Sequence, residues 1–533
     1  MTITYENQDN TDKQVYGDLP PAQAAILLLS ISVVALCGIV YELIIGAVST
    51  YLLGNSIYQF SITIGFFMFA MGIGSFLSQF IKDKLIQNFI YIEVALALIG
   101  GVCSISLFFA FPFTPFMYQT IMFSFILVIG TLVGLEIPIL TRILSQVGGV
   151  RKSIANVLSL DYVGALIGSV AFPLLLLPGL GLVRASFAIG LINIFVAFLN
   201  VIYLRKYLEK PKELLIIVIC VFATLFTLTI IGTRLTSIAQ QNLYFDQVIW
   251  HKQTPYQKLI VTNDWKRGDL RLFIDGHIQF SEIDEHRYHE SLVHPVMAAP
   301  GKIENVLVMG GGDGLAVREL LKYPGIKRID LVDIDPAMTR MGKDFAPLRK
   351  LNKDSLSDKR VHIYNEDGFI FIKRKGPTYD RVILDFPDPH NEVISKLYSI
   401  EFYTMLSRRM SEDGILVSQS SSPFFARQTF WSIEKTMGEV FAATKSYHVT
   451  IPAFGIWGFN MASKVKDINI GTIQADTKYL TPESFHASMT FGKDTGKLYN
   501  VPKNSIFEPV LYQLYLADLK NNPADLINKP KVR

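Results

Sequence analysis

Gly310, Gly311, Gly312, Asp313 and Gly314 close a short apolar run and open a helical pattern. Glycine at such a turn lets a ligand come close to the backbone, and a strand-to-helix turn is a common cradle for nucleotide-like groups. Asp313 narrows the choice. A dinucleotide site aims backbone N–H groups at a pyrophosphate, and a carboxylate among them would repel it. A sulfonium or an amine would be attracted. Asp313 therefore tilts the reading away from NAD and towards an S-adenosyl compound, although a glycine-rich turn alone is a weak signal.

Two further acids join it. Asp333, in "VDID", follows the turn by about 20 residues, where an acid can hydrogen-bond ribose hydroxyls. Asp367, in "NEDG", is placed to accept from an adenine amino group. Glycine turn and two strand-end acids together describe an adenosine pocket. Asp385 and Asp388 then stand three apart in "LDFPDPHN", in a loop stiffened by Pro387 and Pro389. An amine nucleophile arrives protonated at neutral pH. Paired carboxylates can hold that cation and accept the proton it must lose.

These residues need strand ends to present them. Strand and helix patterns alternate from "NVLVMG" through "RIDLVDID", "VHIYNED" and "YDRVILDF" to "GILVSQS". That order implies a Rossmann-like α/β domain over 296–515, with a mostly parallel sheet of the S-adenosylmethionine-dependent methyltransferase type. Ligands of such sheets sit outside the carboxyl ends of the strands. Before it, over 240–295, "KLIVTND" and "LRLFIDGHIQF" read as strands joined by a turn at Asp264–Gly268. They form a small β element, followed by a helix in "DEHRYHESLVHPVMAA" capped by Asp284 or a neighbour. Residues 516–533 read as a loosely attached tail.

The first half is built differently. Half the chain is hydrophobic and only 18% is charged, against roughly 25% in ordinary soluble domains. The deficit lies in residues 22–235. Apolar segments there are long enough to span a bilayer at 24–50, 57–81, 88–111, 116–140, 157–180, 184–203 and 213–233. The fold class is thus a membrane α-helical bundle of about seven helices followed by α/β, with a polar tail at 1–21. Glu42, Glu136 and Asp161 lie within spans, as structural ties or as a ligand or ion site. Glu93, near a span end, is expected to reach water. Gly164 and Gly168 in "GALIG" permit close helix packing. Cys37, Cys103 and Cys220 sit in apolar segments without Cys or His neighbours, which gives no disulfide framework or metal site. A net charge of +4 without basic stripes gives nucleic-acid binding no support.

From about Pro255 to Phe459 the ordered strings "TPYQ", "IDGHIQF", "DEHRYHE", "VLVMGGGDGLAVREL", "LVDIDP", "NEDGFIF", "LDFPDP", "EFYTML", "DGILVSQSSSPFF" and, more weakly, "IPAFGIWGF" resemble the spermidine and spermine synthases, the polyamine aminopropyltransferases. The likeness is to the form with an N-terminal multi-span membrane domain. It implies transfer of an aminopropyl group from decarboxylated S-adenosylmethionine to putrescine or another polyamine, releasing methylthioadenosine, with no cofactor or metal. By position it implies donor contacts at Gln257, Gly310, Gly312, Asp313, Asp333, Asp367 and Gly368. It implies amine contacts at Gln279, Tyr288, His289, Asp385 and Asp388, with Asp385 as proton acceptor. The sequence departs from the pattern at Phe386 and Pro387, where small hydroxyl residues are usual, and at Phe454, where a tyrosine is.

Two other readings share these features. An S-adenosylmethionine methyltransferase has the same sheet and adenosine pocket, although Asp313 would oppose a donor that keeps its carboxylate. A membrane polyamine transporter or sensor would use the soluble part for binding only. The expected location is the cell membrane, with many spans in the lipid bilayer. The side is contested. Basic connections at Lys82, Lys84, Arg142, Arg151, Lys152, Arg205, Lys206, Lys210 and Lys212 point inwards, which after seven spans leaves the catalytic domain outside. The donor is made in the cytosol, which puts that domain inside. A miscounted span between 140 and 210, around Pro173 and Pro178, would reconcile them. Nothing in the sequence separates a monomer from a homodimer or higher oligomer.

Overall fold

The computed structural model describes residues 20–53, 56–112, 115–148 and 150–520. Of the expected polar tail at 1–21, residues 1–19 lie outside the described residues, as does the stretch 521–533. The chain divides into two compact units, Met1–Val248 and Ile249–Arg533.

The first unit is helical: α1 Pro21–Leu53, α2 Ser56–Leu77, α3 Leu85–Ala110, α4 Pro115–Gly148, α5 Val150–Ala171, α6 Leu177–Tyr203 and α7 Pro211–Gln241. Every expected span falls on helix, but several helices outrun it. α4 continues through Pro138 to Gly148, and α7 runs past the expected domain end at 235. The fifth expected span straddles a break. α5 passes through a π-turn at Phe172–Leu176, and Gly181 (φ 71°, ψ 175°) is non-helical inside α6. Among the described residues, six runs are long and apolar enough to cross a membrane when Val150–Tyr203 is counted as one run of 54 residues.

The bundle interior is one apolar cluster that includes Val40, Ile44, Leu96, Ile126, Phe187 and Leu225. A Cβ on Gly164 would stand 1.9 Å from the Ser32 carbonyl oxygen, so the "GALIG" glycines of α5 seat it against α1. Glu93 does not reach water. It is fully buried, as is Glu136 at 2% exposure, and none of their four carboxylate oxygens has a hydrogen-bond partner among the described residues. Cys37 and Cys103 are buried, whereas Cys220 is exposed on α7.

The second unit carries two sheets. The small one is four-stranded, in the order β1 (Gln247–Gln253), β2 (Lys258–Asp264), β3 (Asp269–Ile274), β4 (His277–Ser281). "LRLFIDGHIQF" is therefore two strands. Asp275 (φ 49°) and Gly276 (φ 85°) are both left-handed, as a two-residue hairpin turn following the sheet's twist requires. Asp284 stands at the N-terminus of helix Glu285–Met297 but does not cap it. Its carboxylate accepts instead from the Ala453 N–H at 2.6 Å.

The large sheet has seven strands: β5 (Asn305–Gly310), β6 (Arg328–Val332), β7 (Val361–Tyr364), β8 (Tyr379–Asp385), β9 (Met410–Gln419), β10 (Ala443–Ile451) and β11 (Gly455–Ser463). Their spatial order is β10-β11-β9-β8-β5-β6-β7. β5 to β9 run parallel, and β10–β11 is an antiparallel hairpin on the β9 edge. Helices cover it through two apolar clusters, one including Leu292, Val317 and Ile383, the other Val382, Phe402 and Leu416. The strand order reverses between β5 and β8, and such a switch point leaves a crevice at the strands' carboxyl ends. The expected tail from 516 is overturned in part: Leu511–Lys520 is a helix.

Candidate active site

A cavity of about 470 Å³ opens at that switch point, within the range of small-molecule sites. All the residues singled out from the sequence line it: Gln257, Gln279, Tyr288, His289, Gly310, Gly312, Asp313, Asp333, Asp367, Gly368, Asp385 and Asp388. Asp275 adds a further carboxylate, against Lys396 and the imidazoles of His277, His289 and His390. An acidic, half-enclosed space of this kind suits a cationic ligand.

The end of β5 shows why glycine is needed there. Gly310 is left-handed (φ 82°), and a Cβ on it would stand 2.0 Å from the Asp385 carbonyl oxygen. The glycine thus brings the ends of β5 and β8 together, as well as baring backbone to a ligand. Beside it, the Gly312 and Asp335 N–H groups donate to the two oxygens of Asp333 at 3.0 and 2.9 Å. The Leu315 N–H donates to Asp313 Oδ1 at 2.8 Å. Gln257 is oriented by its amide, which donates to Asp335 Oδ2 at 3.1 Å. Asp367 caps helix Gly368–Lys373 through the Phe369 N–H and pairs with Lys396 Nζ at 2.7 Å.

Burial dominates the electrostatics. It pushes Asp333 up to about 7, with the Asp335 and Gly312 N–H groups pulling the other way and the charges of Asp335 and Asp313 adding to the rise. Burial also raises Asp313, against the opposing His289 charge. Asp385 and Asp388 rise to about 6, again chiefly through burial. His289 is buried, which lowers its affinity for a proton, but the Glu285 carboxylate 2.8 Å from Nδ1 outweighs this and leaves it raised. Glu285 is itself held by the Arg318 guanidinium at 2.8 and 2.9 Å. His390 falls to about 4 through burial and the neighbouring His277, so it adds no cation to the cavity at neutral pH.

On the β8 side, the Tyr288 hydroxyl donates to Asp385 Oδ1 at 2.6 Å. Phe386 packs edge-on against Tyr398 and Phe402. The Tyr398 hydroxyl donates to the Pro387 carbonyl at 3.0 Å, and the Gln419 amide donates to the Phe386 carbonyl. The two residues that depart from the usual pattern are therefore tied down through their backbones. Phe454 packs edge-on against Trp457, with ring centroids 4.9 Å apart.

Residues 285–472 match the family model described as the spermine/spermidine synthase domain. The "Polyamine aminopropyltransferase" of Leptospira interrogans is 40% identical over 89% of this chain and 94% of its own. That of Oceanobacillus iheyensis is 39% identical, over 92% and 97%. The chain belongs to the spermine/spermidine synthase family. It is a polyamine aminopropyltransferase by class, an enzyme that transfers an alkyl group other than methyl. A solved structure titled as spermidine synthase in complex with the transition state analogue AdoDATO is also similar, with a TM-score of 0.43 and 25% identity over 46% of this chain and 85% of that one.

Several cavity residues escaped sequence reasoning. Gln419 ends β9 within "GILVSQS", where a polar residue closing an apolar strand was the available signal. Lys396 and Tyr515 carry none, because each arrives from a helix remote from the strand ends. Arg318 and Glu285 lie behind His289. Arg318 left a trace as a charge inside the apolar helical pattern "GLAVRELL", whereas Glu285 is one of several polar residues in "DEHRYHE" and left none.

Proposed function

We propose that this chain uses decarboxylated S-adenosylmethionine to extend a diamine such as putrescine, forming spermidine and methylthioadenosine. The observation that carries the reading is the set of aspartates that line one cavity: Asp313 and Asp333, both buried, together with Asp367, Asp385 and Asp388. The donor carries a sulfonium and an ammonium and no carboxylate, which suits Asp313. Asp333 and Asp367 suit the ribose and adenine, with Gln257, Gly310, Gly312 and Gly368 around them. Gln279, Tyr288, His289 and Asp388 suit the amine.

The step is an in-line displacement. Asp385, raised only to about 6, is mostly ionised at neutral pH and accepts a proton from the attacking ammonium. The freed nitrogen forms a bond to the carbon next to sulfur, the carbon–sulfur bond breaks, and sulfur leaves as the thioether of methylthioadenosine. Tyr288 fixes the orientation of Asp385, and holding both partners in line supplies much of the rate. The neighbouring carboxylates stabilise the cationic centres through the reaction. Incubating the full chain with the donor and a panel of diamines tests this. Methylthioadenosine should appear only with both substrates, and S-adenosylhomocysteine formed from S-adenosylmethionine would overturn it.

The apolar helices support a multi-span anchor in the cell membrane, and donor supply supports a cytoplasmic catalytic unit. Crossing once or twice at Val150–Tyr203 decides the side. A reporter fused after residue 533 should report from the cytoplasm; an external signal would overturn that placement.

A further inference from the structure

The helix Leu511–Lys520 lies beyond the segment that matches the family domain model. It still supplies part of the cavity wall, through Tyr515, which is 7% exposed. The helix is fastened to its surroundings. Asp518 accepts from the Thr429 N–H and hydroxyl at 3.0 and 2.9 Å and from the Gln428 amide at 3.1 Å. Leu511, at its start, is fully buried in the same apolar cluster as Phe386 and Tyr398. Tyr515 is thereby a fixed feature of the wall.

The Tyr515 hydroxyl donates to Asp388 Oδ2 at 3.0 Å. The other oxygen, Oδ1, is buried and accepts no hydrogen bond of normal geometry among the described residues, although the Ser421 and Gln419 side chains also act on the carboxylate. A buried carboxylate oxygen left open is costly unless a ligand donor meets it. Asp388 therefore has one oxygen held and one reserved, in a loop whose backbone is tied by Tyr398 and Gln419.

We propose that Tyr515 is a positioning and specificity-determining residue for the acceptor. Its hydroxyl holds Asp388 so that the open oxygen meets the distal ammonium of a diamine, and its ring closes that end of the cavity to longer polyamines. This rests on the aminopropyl-transfer reading above. The titratable groups facing Asp388 are Tyr515, Tyr398, Tyr288 and His390. The Tyr515 hydrogen bond is one of the influences that lower Asp388 against its burial, so removing the hydroxyl lets Asp388 protonate at higher pH.

The test compares the full chain with Tyr515→Phe and Tyr515→Ala, measuring methylthioadenosine release with putrescine and with spermidine as acceptor. Tyr515→Phe should raise the putrescine KM about tenfold, roughly the loss of one hydrogen bond at a charged group. Its kcat and donor KM should be unchanged, and the acid limb of kcat/KM should move to higher pH. Tyr515→Ala should in addition improve spermidine relative to putrescine. A Tyr515→Phe enzyme with unchanged putrescine KM and acid limb overturns the proposal. So does one in which kcat, donor KM and thermal midpoint all worsen together, the mark of a purely structural residue. A wild-type chain that releases no methylthioadenosine with any amine overturns the reading of function itself, and the proposal with it.

Discussion

Both units bury carboxylates, but they treat them differently. In the catalytic unit Asp313, Asp333, Asp385 and Asp388 each hold a hydrogen bond from a backbone N–H or a tyrosine hydroxyl, and all line one cavity. In the helical unit Glu93 and Glu136 are at least as buried, yet among the described residues neither carboxylate has a hydrogen-bond partner of normal geometry. Removing a carboxylate from water is costly in both places. Donors in the first keep the acids ionisable near neutral pH, which is the condition for chemistry. Without donors, an ionised group inside apolar helices is a liability.

The widest expected gap between the units is in turnover. Asp385→Asn should lower kcat by about 10²–10⁴-fold, the usual scale for a general base, with donor binding retained. Near-normal methylthioadenosine release from this variant would remove Asp385 as proton acceptor. Stability should move the other way. Asp385 is raised from 3.8 to about 6 on folding, so its contribution favours the fold at low pH and is lost as pH rises through about 6. Asparagine should therefore raise the ligand-free thermal midpoint at pH 8, and the gain should vanish below about pH 4.

Next in size is the support behind His289. Glu285→Ala leaves the Arg318 guanidinium and His289 without their shared partner. Breaking such a buried pair costs about 3–5 kcal/mol, readable as a lower denaturant midpoint. The pH profile should follow, smaller again. With Asp385 and Asp388 both near 6, kcat/KM should fall as pH drops below about 6. A profile flat down to pH 5 would show that neither ionisation matters. The smallest effect belongs to the bundle: Glu136→Gln should change the thermal midpoint little or raise it, and leave kcat intact. A large loss there would mean that the bundle's acids have donors or a cation, and the contrast between the units would fail.

The glycines and aspartates that line the cavity at the strand ends were legible in the sequence. They follow strands directly, and a strand end is visible as an apolar run meeting Gly or Asp. The split of "LRLFIDGHIQF" into two strands was missed because the alternation continues across the Asp275–Gly276 turn. Asp284 sits at a helix start, as its residue type suggested, but the Ala453 N–H competes for its carboxylate and wins. The burial of Glu93 was misjudged because distance along a helix says nothing about what packs beside it.

The sequence by itself determined two regimes of burial, the order of the parallel strands β5 to β9 with their helices, and the acids that stand at strand ends. These are local consequences of hydrophobic period and turn chemistry. Only the tertiary structure decided which acids share a cavity, which of their oxygens are already occupied, and that Tyr515, 127 residues after Asp388, returns on a helix to hold it. Those are matters of packing between distant segments, and no periodicity within either segment encodes them.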